Sequence, residues 1–308
     1  MTAPLIGAAA KHHYVPEFYL RWWTGADRRL ERYTKPHPSK ITVRRVFPSE
    51  TGFEMNLYRS PDDERLGTPW LETSIFQRLD DLAAPVLRKL NATPVARLTD
   101  AERSAWSVFV RALFYRTPAT LQAVKESGVY DWRKVVESVG DRYLAIKGPN
   151  APPTLEEYIA NQSTLDIEGA ILRVLPSVLV GEKVGQVLND LHLRVIVTPP
   201  DVPSFLISDD FVLRTNGITV PGGHLALPIS PRRLVIMAWE KSTVNDIAAM
   251  KPRHLVTQVN QWIVGSARHF VAAIDQTQDR FIRNRFGNDL KEPMSKRSET
   301  SLVKLWRL

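Results

Sequence analysis

The sequence predicts an α+β fold: a mostly helical body packed on one antiparallel sheet, built from an N-terminal strand pair and the strands of residues 193–240. Three observations lead there. Strand-like runs sit on both sides of a helical middle, and strands and helices do not alternate as βαβ units. An isolated strand pair is marginal in water, so the N-terminal pair needs partners, and residues 193–240 are the nearest supply.

Taken in order, the segment "KHHYVPEFYLRWW" at 11–23 lies almost at the start of the chain. Val15 precedes Pro16, which favours an extended entry, and Pro16 can then start a short helix. Phe18, Tyr19, Trp22 and Trp23 turn a large aromatic face inward, so this segment reads as a core plug. His13 lies on the extended residues just before it. Residues 29–47, "RLERYTKPHPSKITVRRVF", read as two strands around a turn containing Pro36 and Pro38. Residues 48–68 are polar and read as a loop.

A helix is expected to begin at Thr68, with Pro69 at its first position. Leu71, Ile75, Leu79, Leu82, Val86 and Leu90 would form its buried face. "TDAE" at 99–102 is a capping box opening a second helix that stops or bends before Pro118. Helical patterns continue through 119–146 and, after the breaker "GPNAPP", to about residue 192. The runs "LRVIV", "SFLIS", "FVLRT", "HLALPIS" and "RRLVIMAW" then make a meander of short strands. A long helix from His254 to Arg285 comes next, its face built from Val256, Val259, Ile263, Phe270 and Ile274. Residues 1–290 are expected to form one domain and residues 291–308 a basic C-terminal tail, with Trp306 docking back on the body.

Composition narrows the function classes. With 24% charged and 44% hydrophobic residues, the chain has the balance of a soluble globular protein. The absence of cysteine excludes disulfides, thiolate zinc sites and cysteine nucleophiles. No run suits a signal peptide or a membrane span, so no membrane partner and a cytoplasmic location are expected. The net charge of +8 is uneven: residues 1–50 hold nine Lys/Arg against four Asp/Glu, and residues 251–308 hold eleven against five. Basic termini on a mildly acidic middle point to a nucleic acid or nucleotide partner, or simply to a solvated basic surface. P-loop, dinucleotide-binding, zincin, nucleophile-elbow and EF-hand patterns are all missing.

"HYVPEFYLRWW" resembles the opening block of a bacterial family catalogued as a domain of unknown function, number 4238, with His13, Tyr14, Val15, Pro16, Phe18, Tyr19, Leu20 and Trp23 in register. Further blocks come in the family's order. They are Glu72 opening the first long helix, Arg116-Thr117-Pro118 at the end of the next, Ser208-Asp209 at a strand end, "LPISP" at 227–231, and Asn260 with Arg268 on the C-terminal helix. Asp210 and Phe211 depart from the Asn-Pro that the pattern carries after Asp209. The resemblance implies an architecture and a set of positions, and no reaction.

Four of these positions are the candidate catalytic residues: His13, Glu72, Arg116 and Asp209. Glu72 falls within an apolar stripe, where a carboxylate needs a cation or its pKa rises; equally, an acid in a first turn suits the helix dipole. Arg116 lies on the buried side of its helix, and it too suits the helix end that carries it. The two could pair if their helices pack as an antiparallel hairpin, and such a pair is structural more often than catalytic. Asp209 sits at a strand end, where it either serves chemistry or forms a turn.

If the four converge, Arg116 would hold an anion, His13 would transfer protons, and Glu72 and Asp209 would orient it or bind a divalent ion. That set fits a hydrolase acting on a phosphodiester or nucleotide-like substrate. The alternative is a non-catalytic module binding nucleic acid or protein, in which the polar cluster is structural. No cofactor is specified by the sequence.

Overall fold

The computed structural model describes residues 10–59, 63, 70–93, 97–127, 147–149, 151–154, 157, 164–215 and 217–292. The fold is α+β with antiparallel sheets, as expected, but the strands divide differently. The N-terminal pair, β2 (Leu30–His37) and β3 (Lys40–Val46), is joined by β10 (Phe270–Ala273) and then β6 (Ile207–Ser208). The other meander strands form their own sheet, in the spatial order β5 (His192–Val197), β9 (Arg233–Ala238), β8 (His224–Ser230) and β7 (Leu213–Arg214). Only Ile207–Ser208 of the meander reaches the N-terminal sheet, because β10 fills the slot beside β2.

The long helix expected over 254–285 is therefore corrected. Helix ends at Ser266, Ala267 turns extended (φ −62°, ψ 131°), and residues 270–273 are a strand before a short helix at Asp279–Arg283. All four strand residues are buried. A strand covered on both faces loses the alternation that would mark it, and its apolar run reads as a continuation of the preceding helix.

A second correction concerns residues 48–68. Phe53–Met55 is strand β4, and it pairs antiparallel with β1 (Lys11–His13), setting His12 opposite Glu54 and His13 opposite Phe53. The turn before it depends on Gly52, at φ +69°. Its carbonyl accepts from the backbone N–H of both Tyr14 and Val15, at 2.8 and 3.0 Å. A Cβ at Gly52 would meet Val15 Cβ and the Val15 carbonyl oxygen at 3.1 Å, so a side chain here is strained by conformation and crowded by its neighbours.

The aromatic plug behaves as its spacing implies. Helix α1 (Glu17–Leu20) and the 3-10 turn Arg21–Trp23 bury Tyr19 and Trp23 completely. Tyr19 packs against Trp23, Phe109 and Phe211, with ring centroids 5.0–5.9 Å apart. Its hydroxyl donates to the Pro228 carbonyl of β8 at 2.6 Å, and Trp23 Nε1–H donates to the Phe205 carbonyl just before β6 at 2.9 Å. One short segment thus pins both sheets to the helices. Asn260 adds a second clasp: its Oδ1 accepts from the Leu206 N–H at 2.9 Å and its Nδ2 donates to the Ser204 carbonyl at 2.8 Å.

The expected starting residues of the first long helix, Thr68 and Pro69, lie outside the described residues, as do residues 128–146 and Trp306. The described part opens as a π-helical turn, Leu71–Phe76, and continues as α2 (Gln77–Ala92). A π turn holds an extra residue, which rotates the helix beyond it. The buried set becomes Leu71, Phe76, Ala83, Val86, Leu87 and Leu90, while Leu82 is 58% exposed. Helix α3 (Asp100–Tyr115) opens with the expected capping box, Thr99 Oγ1 accepting from the Glu102 N–H and the Glu102 carboxylate accepting from the Thr99 N–H. Residues 118–127 are helical as well, helices α4 (Thr164–Val180) and α5 (Glu182–Asp190) follow among the described residues, and α6 (Lys241–Ala248) comes after β9. Among the described residues, no helix is long and apolar enough to cross a membrane.

Candidate active site

Helices α2 and α3 pack against each other, so the start of one lies beside the end of the other. Arg116 caps the C-terminal end of α3 and is fully buried. Its guanidinium forks onto Asp80 of α2, with Nη1–H donating to Oδ1 at 2.7 Å and Nη2–H to Oδ2 at 3.2 Å. It also lies over the Phe76 ring, 4.8 Å from the centroid. Asp80, and not Glu72, is the direct partner of Arg116. The π turn and the packing register decide this between two acids on the same helical segment.

Glu72 stands close enough for the Arg116 charge to act on it. Burial pushes its carboxyl up to about 7, Arg116 opposes that rise and Asp80 adds to it. Its Oε2 is enclosed and has no hydrogen-bond partner among the described residues. Burial works in the same direction on Asp80, raising its pKa against the pull of Arg116. For Arg116, burial alone would lower the pKa, but Asp80, Tyr58 and Glu72 outweigh it and hold the guanidinium charged.

Tyr58 is the hub of the cluster, and it lies in a stretch that the sequence predicts as loop. Its hydroxyl donates to the Arg116 carbonyl at 2.9 Å and lies 3.5 Å from the His13 carbonyl. Its ring stacks on His12 and meets Phe76, with centroids 5.2 and 4.6 Å apart. His13, on strand β1, is thereby brought to the same neighbourhood. Its Nε2 approaches Glu17 Oε1 to 3.5 Å without forming a hydrogen bond. Burial lowers its pKa, Glu17 opposes this, and Arg116 and Lys11 reinforce it. His13 is therefore neutral at physiological pH.

Three of the four sequence candidates thus form one electrostatically coupled cluster, which also contains Asp80 and Tyr58. Asp209 does a different job. It is buried, and its carboxylate accepts from the backbone N–H of Arg268, His269 and Phe270 at 3.0–3.2 Å. Those bonds end helix α7 (Pro252–Ser266) and launch β10, so Asp209 clamps the turn that the sequence pattern runs through as helix. Both of its oxygens are engaged there, which leaves the divalent-ion role without support from its geometry. Among the described residues, no three His, Asp or Glu side chains are grouped to hold a metal ion.

Asp209 also lines a small cleft with Thr117, Asp210, Arg214 and Arg268, and this adjoins a larger one of about 510 Å³ beside Glu54, Gln122 and Lys125. The two share Pro118, Ala119 and His269. Neither is lined by His13, Glu72 or Arg116. Tyr14 connects the two regions: it comes directly after His13 in the chain, its ring centroid lies 6.0 Å from that of His269, and the Asp209 charge helps burial raise its hydroxyl pKa.

The positions that mark the family resemblance fall in these places: His13, Glu72 and Arg116 in the cluster, Thr117, Pro118, Asp209 and Arg268 at the cleft, Asn260 and Pro228 as clasps of the sheets. No curated protein and no solved structure matches the chain. A family model does, over residues 11–277, from the strand carrying His12 and His13 to the loop beyond β10: the chain belongs to the family described as protein of unknown function, DUF4238.

Proposed function

We propose that this protein is an acid–base hydrolase whose proton-transferring groups are Glu72 and His13. The observation that carries the reading is the state of Glu72: a half-buried carboxyl near pKa 7, set in a π-helical turn, with one oxygen lacking a hydrogen-bond partner among the described residues. A carboxyl that keeps its proton near neutrality can give it to a leaving group, and a neutral imidazole can take one from water. The net result is addition of water across the cleaved bond. Both groups retain partial exposure, as does Asp80, whereas Tyr58 and Arg116 behind them are fully buried. That division suits reacting groups held by a rigid support.

The phosphodiester or nucleotide-like substrate now rests on the basic termini, because Asp80 takes both terminal nitrogens of Arg116. The same fact, together with the engaged carboxylate of Asp209, favours a second reading: a binding module that meets nucleic acid or protein through exposed cations, with the cluster purely structural. Arg44 is such a cation, exposed on the edge strand opposite Arg32.

The test is turnover of labelled RNA, labelled DNA and chromogenic ester and amide substrates. Wild type, Glu72→Gln and His13→Ala would be compared between pH 5.5 and 8.5, with and without Mg²⁺, while melting temperature is followed. The expected result is hydrolysis of one class, reduced about 10²-fold or more in both variants with melting temperatures near wild type. The rate should also lose its limb near pH 7 in Glu72→Gln. Salt-sensitive nucleic-acid retention, unchanged in both variants and without turnover, would move the conclusion to the binding module.

A further inference from the structure

Residues directly opposite in a sheet share a face, and successive residues of a strand alternate between faces. Strands β2 and β3 therefore set Glu31 and Arg45 together on one face, and Arg32 and Arg44 together on the other. The first pair is matched in charge. Arg45 Nη1–H donates to Glu31 Oε1 at 2.8 Å, and its Nε–H and Nη2–H both donate to Asp27 at 2.7 Å. The second pair is two cations, and like charges directly opposite destabilise a sheet. Among the described residues neither Arg32 nor Arg44 forms an ion pair with a carboxylate. Arg32 donates to the Glu50 backbone carbonyl, and its Nε is enclosed without a partner. The Glu50 carboxylate is turned to the Phe47 N–H instead.

The same face runs on towards the hairpin tip. Thr34 lies opposite Thr42 with the hydroxyls 3.0 Å apart, and Lys40 is two residues further along β3. Where one hydroxyl donates to another, the acceptor keeps its own hydrogen for a third group. Arg32, Thr34 and Thr42 are half-buried, while Arg44 and Lys40 are exposed. Residues on one face of a strand repeat about every 7 Å, so Arg44, Thr42 and Lys40 form a row about 14 Å long. Charge around the row is one-sided. From Arg28 to Val46 the chain carries seven Lys/Arg and one acid, Glu31, which Arg45 already holds.

An open row of donors suits a chain of anions better than one small ion, and guanidinium groups match phosphate oxygens in shape as well as charge. We propose that this face of the N-terminal sheet binds the phosphodiester backbone of a nucleic acid, with a phosphate relieving the repulsion between Arg32 and Arg44. Contacts made to phosphates carry no sequence information, so the binding is independent of base. The inference rests on the binding reading above for its partner, and it is indifferent to whether Glu72 and His13 turn over a substrate.

The experiment is a fluorescence-anisotropy titration of the full chain against labelled mixed-sequence RNA and DNA over a range of salt. Retention of phosphatidylserine vesicles and melting temperature are followed alongside. Arg44→Glu and Lys40→Glu change the row, and Lys183→Glu makes the same charge change at an exposed position of helix α5. The expected result is binding that ignores sequence and weakens several-fold in the first two variants but not in Lys183→Glu. Arg44→Gln should lower the slope of log affinity against log salt by about 0.7–0.9, the loss of one phosphate contact, and should melt no earlier than wild type. Nucleic-acid binding that is unchanged in Arg44→Glu, or weakened as much by Lys183→Glu, would overturn this face and leave the binding reading to cations elsewhere. Earlier melting of Arg44→Gln would show that the arginine pair is not repulsive and would also overturn it. Binding to vesicles alone, or to no probe, would overturn the face and its nucleic-acid partner together.

Discussion

Replacing Arg116 with Met will destabilise the protein by about 3–5 kcal/mol, the cost of stripping one partner from a buried ion pair. The guanidinium is fully buried, forked onto Asp80 and stacked over Phe76, and its removal leaves a carboxylate in a site already hostile to charge. Asp80→Asn should cost a comparable amount, because it leaves the cation unpaired. The double variant Arg116→Met/Asp80→Asn should lose less than the two single losses combined, because neither charge remains without its partner. Denaturant unfolding of the four proteins checks this. A cost below about 1 kcal/mol for Arg116→Met, the range of a surface pair, would show that the fork carries little and that the support behind Glu72 is loose.

Trp23→Ala should cost a similar amount, about 3–5 kcal/mol, for a different reason. The indole is wholly buried between Tyr19 and the strands, so truncation leaves a cavity the surroundings cannot fill. It also leaves the Phe205 carbonyl without its donor. Trp23→Phe separates the two contributions: it keeps much of the ring volume and loses the hydrogen bond, worth about 1 kcal/mol. Unfolding midpoints of the two variants measure the difference. Were Trp23→Ala to cost as little as Trp23→Phe, the segment would be a loosely attached arm, and the placement of His12 and His13 beside it would lose its anchor.

These two expectations bracket what the sequence could say. The aromatic spacing at 18–23, the strand pair at 29–47 and the Thr99 capping box depend on neighbours within a few residues, and each is legible from local pattern alone. The errors have one common cause: long-range cover. Phe270–Ala273 is buried on both faces, so it shows no period of two, and its identity as a strand depends on β2 and β6 arriving from elsewhere. Phe53–Met55 is too short to announce itself and exists because Lys11–His13 pairs with it.

The site divides along the same line. Glu72, Arg116 and His13 are visible in the sequence as polar residues on apolar faces, and they do share a neighbourhood. Which acid pairs with Arg116 is not visible, because a single π turn changes which side chain of the helix faces it, and no spacing rule on a regular helix accounts for that. Tyr58 and His12 carry no local signal at all. One lies in a polar stretch, and the other is overshadowed by the histidine beside it. Asp209 is legible as important, but its importance is to the backbone. Three amides that would otherwise continue a helix are gathered on its carboxylate, and the chain turns there into a central strand.

The central claim is that Glu72 holds a proton near neutrality within a cluster whose buried cation, Arg116, is balanced by Asp80. Carbon-detected NMR titration of the glutamate side-chain carboxyls, with the Glu72 signal assigned by its loss in Glu72→Gln, measures this directly. Burial raises the folded-state pKa of Glu72 above the ordinary glutamate value, so the carboxyl should remain protonated at pH 5.5 and titrate through a midpoint near 7. A midpoint near 4.5, the ordinary glutamate value, would mean that Glu72 is a solvated carboxylate at neutral pH, unable to serve as the acid, and would contradict the account.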